Sequence, residues 1–214
     1  VGLVWALAGV QPDKFQGPVQ RIMYVHVPVA WVSFVAIFVM FVASIQYLRT
    51  RESRYDMVAE AAAAVGTLMC GLSLITGSIW GRYAWMTWWT WDARLTTVAV
   101  LFIIYVAYLV LRNLIDEESQ RARFSAVLAI LGFADVPIIH MSVVWWRTLH
   151  QSATVLQPAK AKASPDIVGT LLYMTVVFMI LFAYMVIARR RMLEIEREAA
   201  RLQIEKLQTA QEAV

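Results

Sequence analysis

Cysteine is nearly absent from this chain: Cys70 is the sole one in 214 residues, and it lies inside an apolar run. A single thiol excludes an internal disulfide framework and a thiolate metal cluster, so Cys70 reads as a small core residue. Charge is scarce as well. Only 16% of the residues are charged and 60% are hydrophobic, whereas soluble domains run at roughly a quarter charged and about half apolar. A soluble fold has no place for that much apolar surface. Val1 to Val10 carries neither the charged start nor the cleavage site of a secretory signal. No Gly-x4-Gly-Lys-Ser/Thr loop for nucleotide phosphates occurs, so any ATP dependence belongs to a partner.

What the chain does have is long apolar runs: Ile22 to Leu48, Met57 to Ile79, Leu95 to Leu111, Phe124 to Trp145 and Ile167 to Ala188. Each can cross a hydrocarbon layer about 30 Å thick as a helix rising about 1.5 Å per residue. Runs so continuously apolar do not suit the alternating strands of a membrane barrel, and a helix satisfies its own backbone hydrogen bonds. Val1 to Val10 is too short to cross and reads as the end of a first span whose beginning is missing. The expected fold class is therefore all-α, a polytopic integral membrane bundle of six transmembrane helices. Residues 1–188 form the membrane domain and 189–214 a helical tail.

The net charge of +4 does not indicate a nucleic-acid partner, because the basic residues sit between and after the spans. Twelve of the nineteen Lys and Arg residues gather on one side: Arg49, Arg51 and Arg54, then Arg112, Arg121 and Arg123, then Arg189, Arg190, Arg191, Arg197, Arg201 and Lys206. The other side holds Lys14, Arg21, Arg82, Arg94, Arg147, Lys160 and Lys162. The positive-inside bias places the tail in the cytoplasm and the connection between the third and fourth spans outside. In the tail, Leu193, Ala200 and Leu207 recur at seven residues, and Glu194 with Arg197 and Glu198 with Arg201 have the spacing of i,i+3 pairs. That pattern fits a solvated extension of the last span or a short partner-binding coil. Near the arginine side, Glu60 is placed for an ordinary ion pair; Asp135, ahead of Pro137, is placed to bond backbone freed at a kink.

The outward connection, residues 80–96, reads Trp80-Gly-Arg82-Tyr-Ala-Trp85-Met-Thr-Trp88-Trp89-Thr-Trp91-Asp92-Ala-Arg94-Leu-Thr96, with five of the nine tryptophans. One or two tryptophans at a helix end are an interfacial belt. Five in one loop suggest a flat aromatic surface for a large planar ligand, with Arg82 and Arg94 able to pair with its carboxylates. His26 begins the second span at its outer end and His150 follows the fifth on the same side. Two imidazoles can close the coordination of a haem iron. His140, two to three helical turns earlier, is a rival ligand or a hydrogen-bond partner for the site or for Asp135.

The loop core Trp88-Trp89-Thr-Trp91-Asp92-Ala-Arg94-Leu-Thr96 resembles the WWD signature of haem-handling proteins of cytochrome c maturation. Arg21-Ile-Met-Tyr-Val-His26-Val-Pro28 and Trp145-Trp146-Arg-Thr148-Leu-His150-Gln151 are similar to the haem-ligand segments of the CcmC family, the C component of the haem exporter. Met86 stands where that pattern leads us to expect glycine. The resemblance implies non-covalent, b-type haem held between His26 and His150 against the loop, at the outer face of the bacterial inner membrane. It also implies delivery to a periplasmic haem chaperone, CcmE, within an ABC-type complex with CcmA, CcmB and CcmD. Trp80, Trp85, Trp88, Trp89 and Trp91 would contact the porphyrin, and Arg82, Arg94 and Arg147 its propionates. Asp92, being acidic, would instead orient the loop by pairing with Arg94 or bonding backbone N–H groups. Two other readings are an electron-transfer cytochrome b, which would usually place its paired histidines within facing helices, and a cytochrome c synthetase, whose WWD relatives are larger. A structural subunit with an elaborate belt and no ligand is a further one.

Overall fold

The computed structural model of the protein describes residues 2–10, 17–150 and 164–212. Lys14, Gln151, Lys160 and Lys162, which entered the sequence reading, lie outside the described residues.

Short helical turns, α1 (Gly2–Val4) and Trp5–Gly9, precede the main bundle. A 3-10 turn at Pro18–Ile22 leads into α2 (Met23–Thr50), followed by α3 (Ser53–Ala84), α4 (Ala93–Leu114), α5 (Glu118–Phe133), α6 (Asp135–Trp145) and α7 (Pro165–Glu212). Among the described residues five helical stretches are long and apolar enough to cross a bilayer: Pro18–Thr50, Ser53–Ala84, Ala93–Leu114, Glu118–Trp145 and Pro165–Thr209. The chain is a polytopic membrane bundle. The run expected to end a further span is present as Gly2–Gly9, whose Ala6 packs with Val10 against Tyr24, Leu171 and Met174.

The bundle is organised around α2 and α3, the two most buried helices, while α4, α5 with α6, and α7 lie around them. Small residues permit this close packing, as expected where no solvent drives helices together. Ala59, Ala62 and Ala63 of α3 face the core, and at Gly66 a side chain would collide with the ring of Tyr105 from α4. The Tyr105 hydroxyl crosses to donate to the carbonyl of Ser33 in α2 at 2.6 Å, so α4 is tied to α2 by a fully buried bond.

The run Phe124 to Trp145 is two helices rather than one. α5 ends at Phe133 and α6 restarts at Asp135, two residues before Pro137, whose ring and missing N–H disfavour a continuous ladder. The expected bond from Asp135 to freed backbone is not seen among the described residues, where its Oδ2 is buried with no hydrogen-bond partner.

At the arginine-rich end, α3, α4, α5 and α7 meet in an ion-pair network. Arg112 grips Asp56 through both guanidinium Nη atoms, at 2.6 and 2.9 Å, and reaches Glu60 at 2.5 Å. Arg197 of α7 joins Asp56 at 2.7 Å and Glu118 at 3.0 Å. Glu60 therefore forms the ion pair anticipated for it. The tail pairing differs from expectation: Glu194 pairs with Arg190 at 2.5 Å, while Arg197 turns inward because the fully paired carboxylates of α3 lie within its reach. Leu193 is buried against Met57 and Ala61, and the helix beyond carries Leu202, Ile204 and Leu207 exposed.

Candidate functional site

The far end of the bundle is built where α3 stops. Trp85 N–H closes the last turn on the Gly81 carbonyl at 2.7 Å. A Cβ at Gly81 would come 3.2 Å from the Trp85 ring, so glycine lets this indole fold back over the helix end. Arg82 donates to the Met86 carbonyl at 3.1 Å. Met86 itself has φ 61°, the left-handed region that favours glycine, so the turn is kept with a side chain on it. Thr87 donates to the Trp89 carbonyl at 3.1 Å. The chain then reaches Asp92, which caps α4 by accepting the Arg94 N–H on Oδ1 at 2.9 Å.

The five loop indoles do not make one plane. Trp89 and Trp91 meet edge to face, at 87° with ring centroids 5.9 Å apart, the T-shaped arrangement that the ring quadrupoles favour. Trp88 and Trp91 are exposed, whereas Trp80, Trp85 and Trp89 are half-buried. In place of one flat surface, Trp80 and Trp85 each lie against a histidine, and Trp89 and Trp91 pair with each other.

His26 lies near the start of α2, facing α3. Its Nδ1 is 3.1 Å from the Thr76 hydroxyl oxygen, and its ring meets Trp80 edge-on with centroids 5.7 Å apart. Glycine at position 77 is required here, since a Cβ would sit 2.9 Å from Cε1 of the imidazole.

His150 is held to the tryptophan loop. The second carboxylate oxygen of Asp92 accepts the Leu149 N–H at 2.8 Å, and the Thr148 hydroxyl oxygen accepts the His150 N–H at 3.0 Å. Burial works against the charge of Asp92. Hydrogen bonds from Thr148, Leu149 and Arg94 outweigh it and hold the carboxyl below its usual range. The His150 ring lies 5.3 Å from that of Trp85, and its Nδ1 is buried with no hydrogen-bond partner among the described residues. Burial, with the charge of Arg94 and against that of Asp92, pushes His150 down to about 4, so its imidazole is neutral at physiological pH. Arg147 is exposed along a shallow open cleft with Thr90, Trp91, Asp92, Thr148 and Leu149.

Of the residues singled out in the sequence, the fold groups His26 with Trp80, and His150 with Trp85, Asp92 and Arg94. Asp92 bonds the backbone of Arg94 and Leu149, the second of the two roles anticipated for it. Arg82 serves the loop through Met86. His140 is exposed on α6 and is not turned toward the bundle interior or toward Asp135 as a supporting partner. Thr76 and Thr148 were missed: a threonine inside an apolar helix, or one residue in a polar connection, carries no spacing that marks it. The donor set fits a haem. Two imidazoles stand at the same end of the bundle, that of His150 with a buried Nδ1 unpartnered among the described residues, beside half-buried aromatic rings and cationic side chains.

The family model for Heme exporter protein C, CcmC, matches residues 1–205. Heme exporter protein C of Bradyrhizobium diazoefficiens is 40% identical over 194 residues, covering 90% of this chain and 74% of that protein. The proteins of the same name from Haemophilus influenzae and Escherichia coli are 36% and 35% identical over 201 residues, covering 94% of this chain and 82% and 81% of theirs. With a family model spanning nearly its whole length and relatives at this identity, the chain belongs to the heme exporter protein C family.

Proposed function

We propose that this protein binds haem at the outer face of the bacterial inner membrane, between His26 and His150, and hands it to a periplasmic haem chaperone, CcmE, during c-type cytochrome biogenesis. CcmA, CcmB and CcmD are its partners in an ABC-type complex, and ATP is theirs to use. The observation that carries this reading is the Asp92 carboxylate, which fastens the segment bearing His150 to the tryptophan loop at the bundle end where His26 also lies. Haem is too apolar to be released into water. A shallow interfacial site buries one edge on Trp80, Trp85 and Trp89, offers Arg94 and Arg147 to the propionates, and leaves another edge open toward Trp88 and Trp91 for a docking partner. The haem is non-covalent, b-type, because the single cysteine, Cys70, is buried in the bundle core. On this reading the chain is a haem carrier, and the bond-making step it promotes is the covalent loading of the chaperone.

The test is the visible spectrum of the purified protein. A low-spin, two-imidazole spectrum is expected, lost in His26→Ala and in His150→Ala, partly restored by added imidazole, and kept in His140→Ala. Mixing with CcmE should move the pigment to the chaperone. A protein that copurifies with and takes up no haem would sink the reading, as would loss of the spectrum in His140→Ala alone.

A further inference from the structure

We infer that Thr76 fixes the tautomer of His26, so that Nε2 is the atom offered to iron; the inference rests on the haem reading above. A threonine hydroxyl has one proton to give and lone pairs to receive. The Thr76 oxygen lies 2.7 Å from the carbonyl of Leu72, one turn earlier in α3, and 3.3 Å from that of Ser73. Carbonyls only accept, so the hydroxyl proton is committed to the helix backbone. Toward His26 Nδ1, at 3.1 Å, Thr76 then presents only a lone pair. That contact is a hydrogen bond only if Nδ1 carries the proton, and a neutral imidazole protonated at Nδ1 has its free lone pair on Nε2.

The ring cannot escape this arrangement easily. Within little more than one turn, α3 supplies the Thr76 acceptor, the side-chain-free surface of Gly77 against Cε1, and the edge-on Trp80 ring. The choice of partner also sets how firmly iron is held. A carboxylate behind a ligating histidine raises its basicity, whereas a neutral hydroxyl orients the ring with less electron donation. That suits a ligand that must release its cargo. Among the described residues His150 has no such partner at Nδ1, so within them Thr76 gives the pair one fixed and one adaptable imidazole. Thr76 is thus a positioning residue, acting on iron through His26.

The experiment begins with the haem-free protein labelled with 15N-histidine in detergent. The His26 signals, identified by their absence from His26→Ala, should show protonated Nδ1 and unprotonated Nε2. Thr76→Val, nearly equal in shape, should shift His26 toward the Nε2-protonated form and weaken haem retention roughly tenfold or more. Thr76→Ser should restore both. Helical circular dichroism checks that each variant folds. An Nε2-protonated His26 in the wild-type protein overturns the inference, and so does a Thr76→Val protein with unchanged signals and haem retention. Protonated Nδ1 in a wild-type protein that takes up no haem would overturn the haem reading instead, and with it the role toward iron.

Discussion

Met86 is, with Arg51 at the end of α2, one of two non-glycine residues among the described ones whose backbone enters the left-handed region. Its φ of 61° places an L side chain in a region that costs a non-glycine residue about 1–2 kcal/mol, and the side chain, 74% exposed, recovers little by packing. Met86→Gly should therefore stabilise the protein by about 1 kcal/mol, after the greater freedom of glycine in the unfolded chain is counted. Thermal unfolding in detergent reads this as a raised midpoint, and a lowered one would refute it. The aromatic residues and histidines of the site were legible because their density in one loop has no ordinary explanation. Thr76 and Thr148 were not, because their roles depend on lone pairs and backbone N–H groups that no residue pattern encodes. Asp92 was half legible: its cap on α4 is local, but its bond to Leu149 N–H spans 57 positions.

At the level of helices, the ion-pair network holds α3, α4 and α7 together, and its members are not equivalent. Asp56 and Arg112 are almost completely buried, while Arg197 is 20% exposed. Asp56→Ala would leave Arg112 buried without its bidentate partner, at a cost of about 3–5 kcal/mol. Arg197→Ala removes a charged hydrogen bond but leaves the Arg112 to Asp56 pair intact, so about 1–2 kcal/mol is expected. Unfolding midpoints of the two variants should fall in that order, and equal losses would mean that α7 is a larger part of the clamp than the geometry indicates. The spans were legible as elements, since apolar runs of this length have few other uses. The helical extension of α7 to Glu212 was legible too, from the seven-residue spacing in the tail, whereas the outer end of α3 was not: it runs on to Ala84, past the apolar run that ends at Ile79. Arg197 illustrates the same limit, since its spacing from Glu194 suggests a local pair and its contacts are across the bundle.

For the molecule as a whole, the distribution of basic residues is the argument for orientation. Twelve of nineteen lie at the end that carries the tail, and the proposed orientation, with that end in the cytoplasm, rests on the positive-inside bias. Reporter fusions after Arg94 and after Arg191 should fall in opposite compartments, the first periplasmic; the same compartment for both would overturn the orientation and the outward site with it. The bundle class was readable from composition, whereas which helices form its centre was not, since that depends on where alanines and glycines of α3 meet bulky partners. His26 is fastened to α3 through Thr76, and His150 to the cap of α4 through Asp92, while Arg112 and Asp56 pin the same two helices at their other ends. Between these points the two helices run about 30 Å and stay in contact, with Tyr105 filling the space at Gly66 and Phe102 that at Gly71. The separation of the two imidazoles is therefore set by packing along a doubly clasped pair of helices, and a substitution at either glycine would be felt at both histidines.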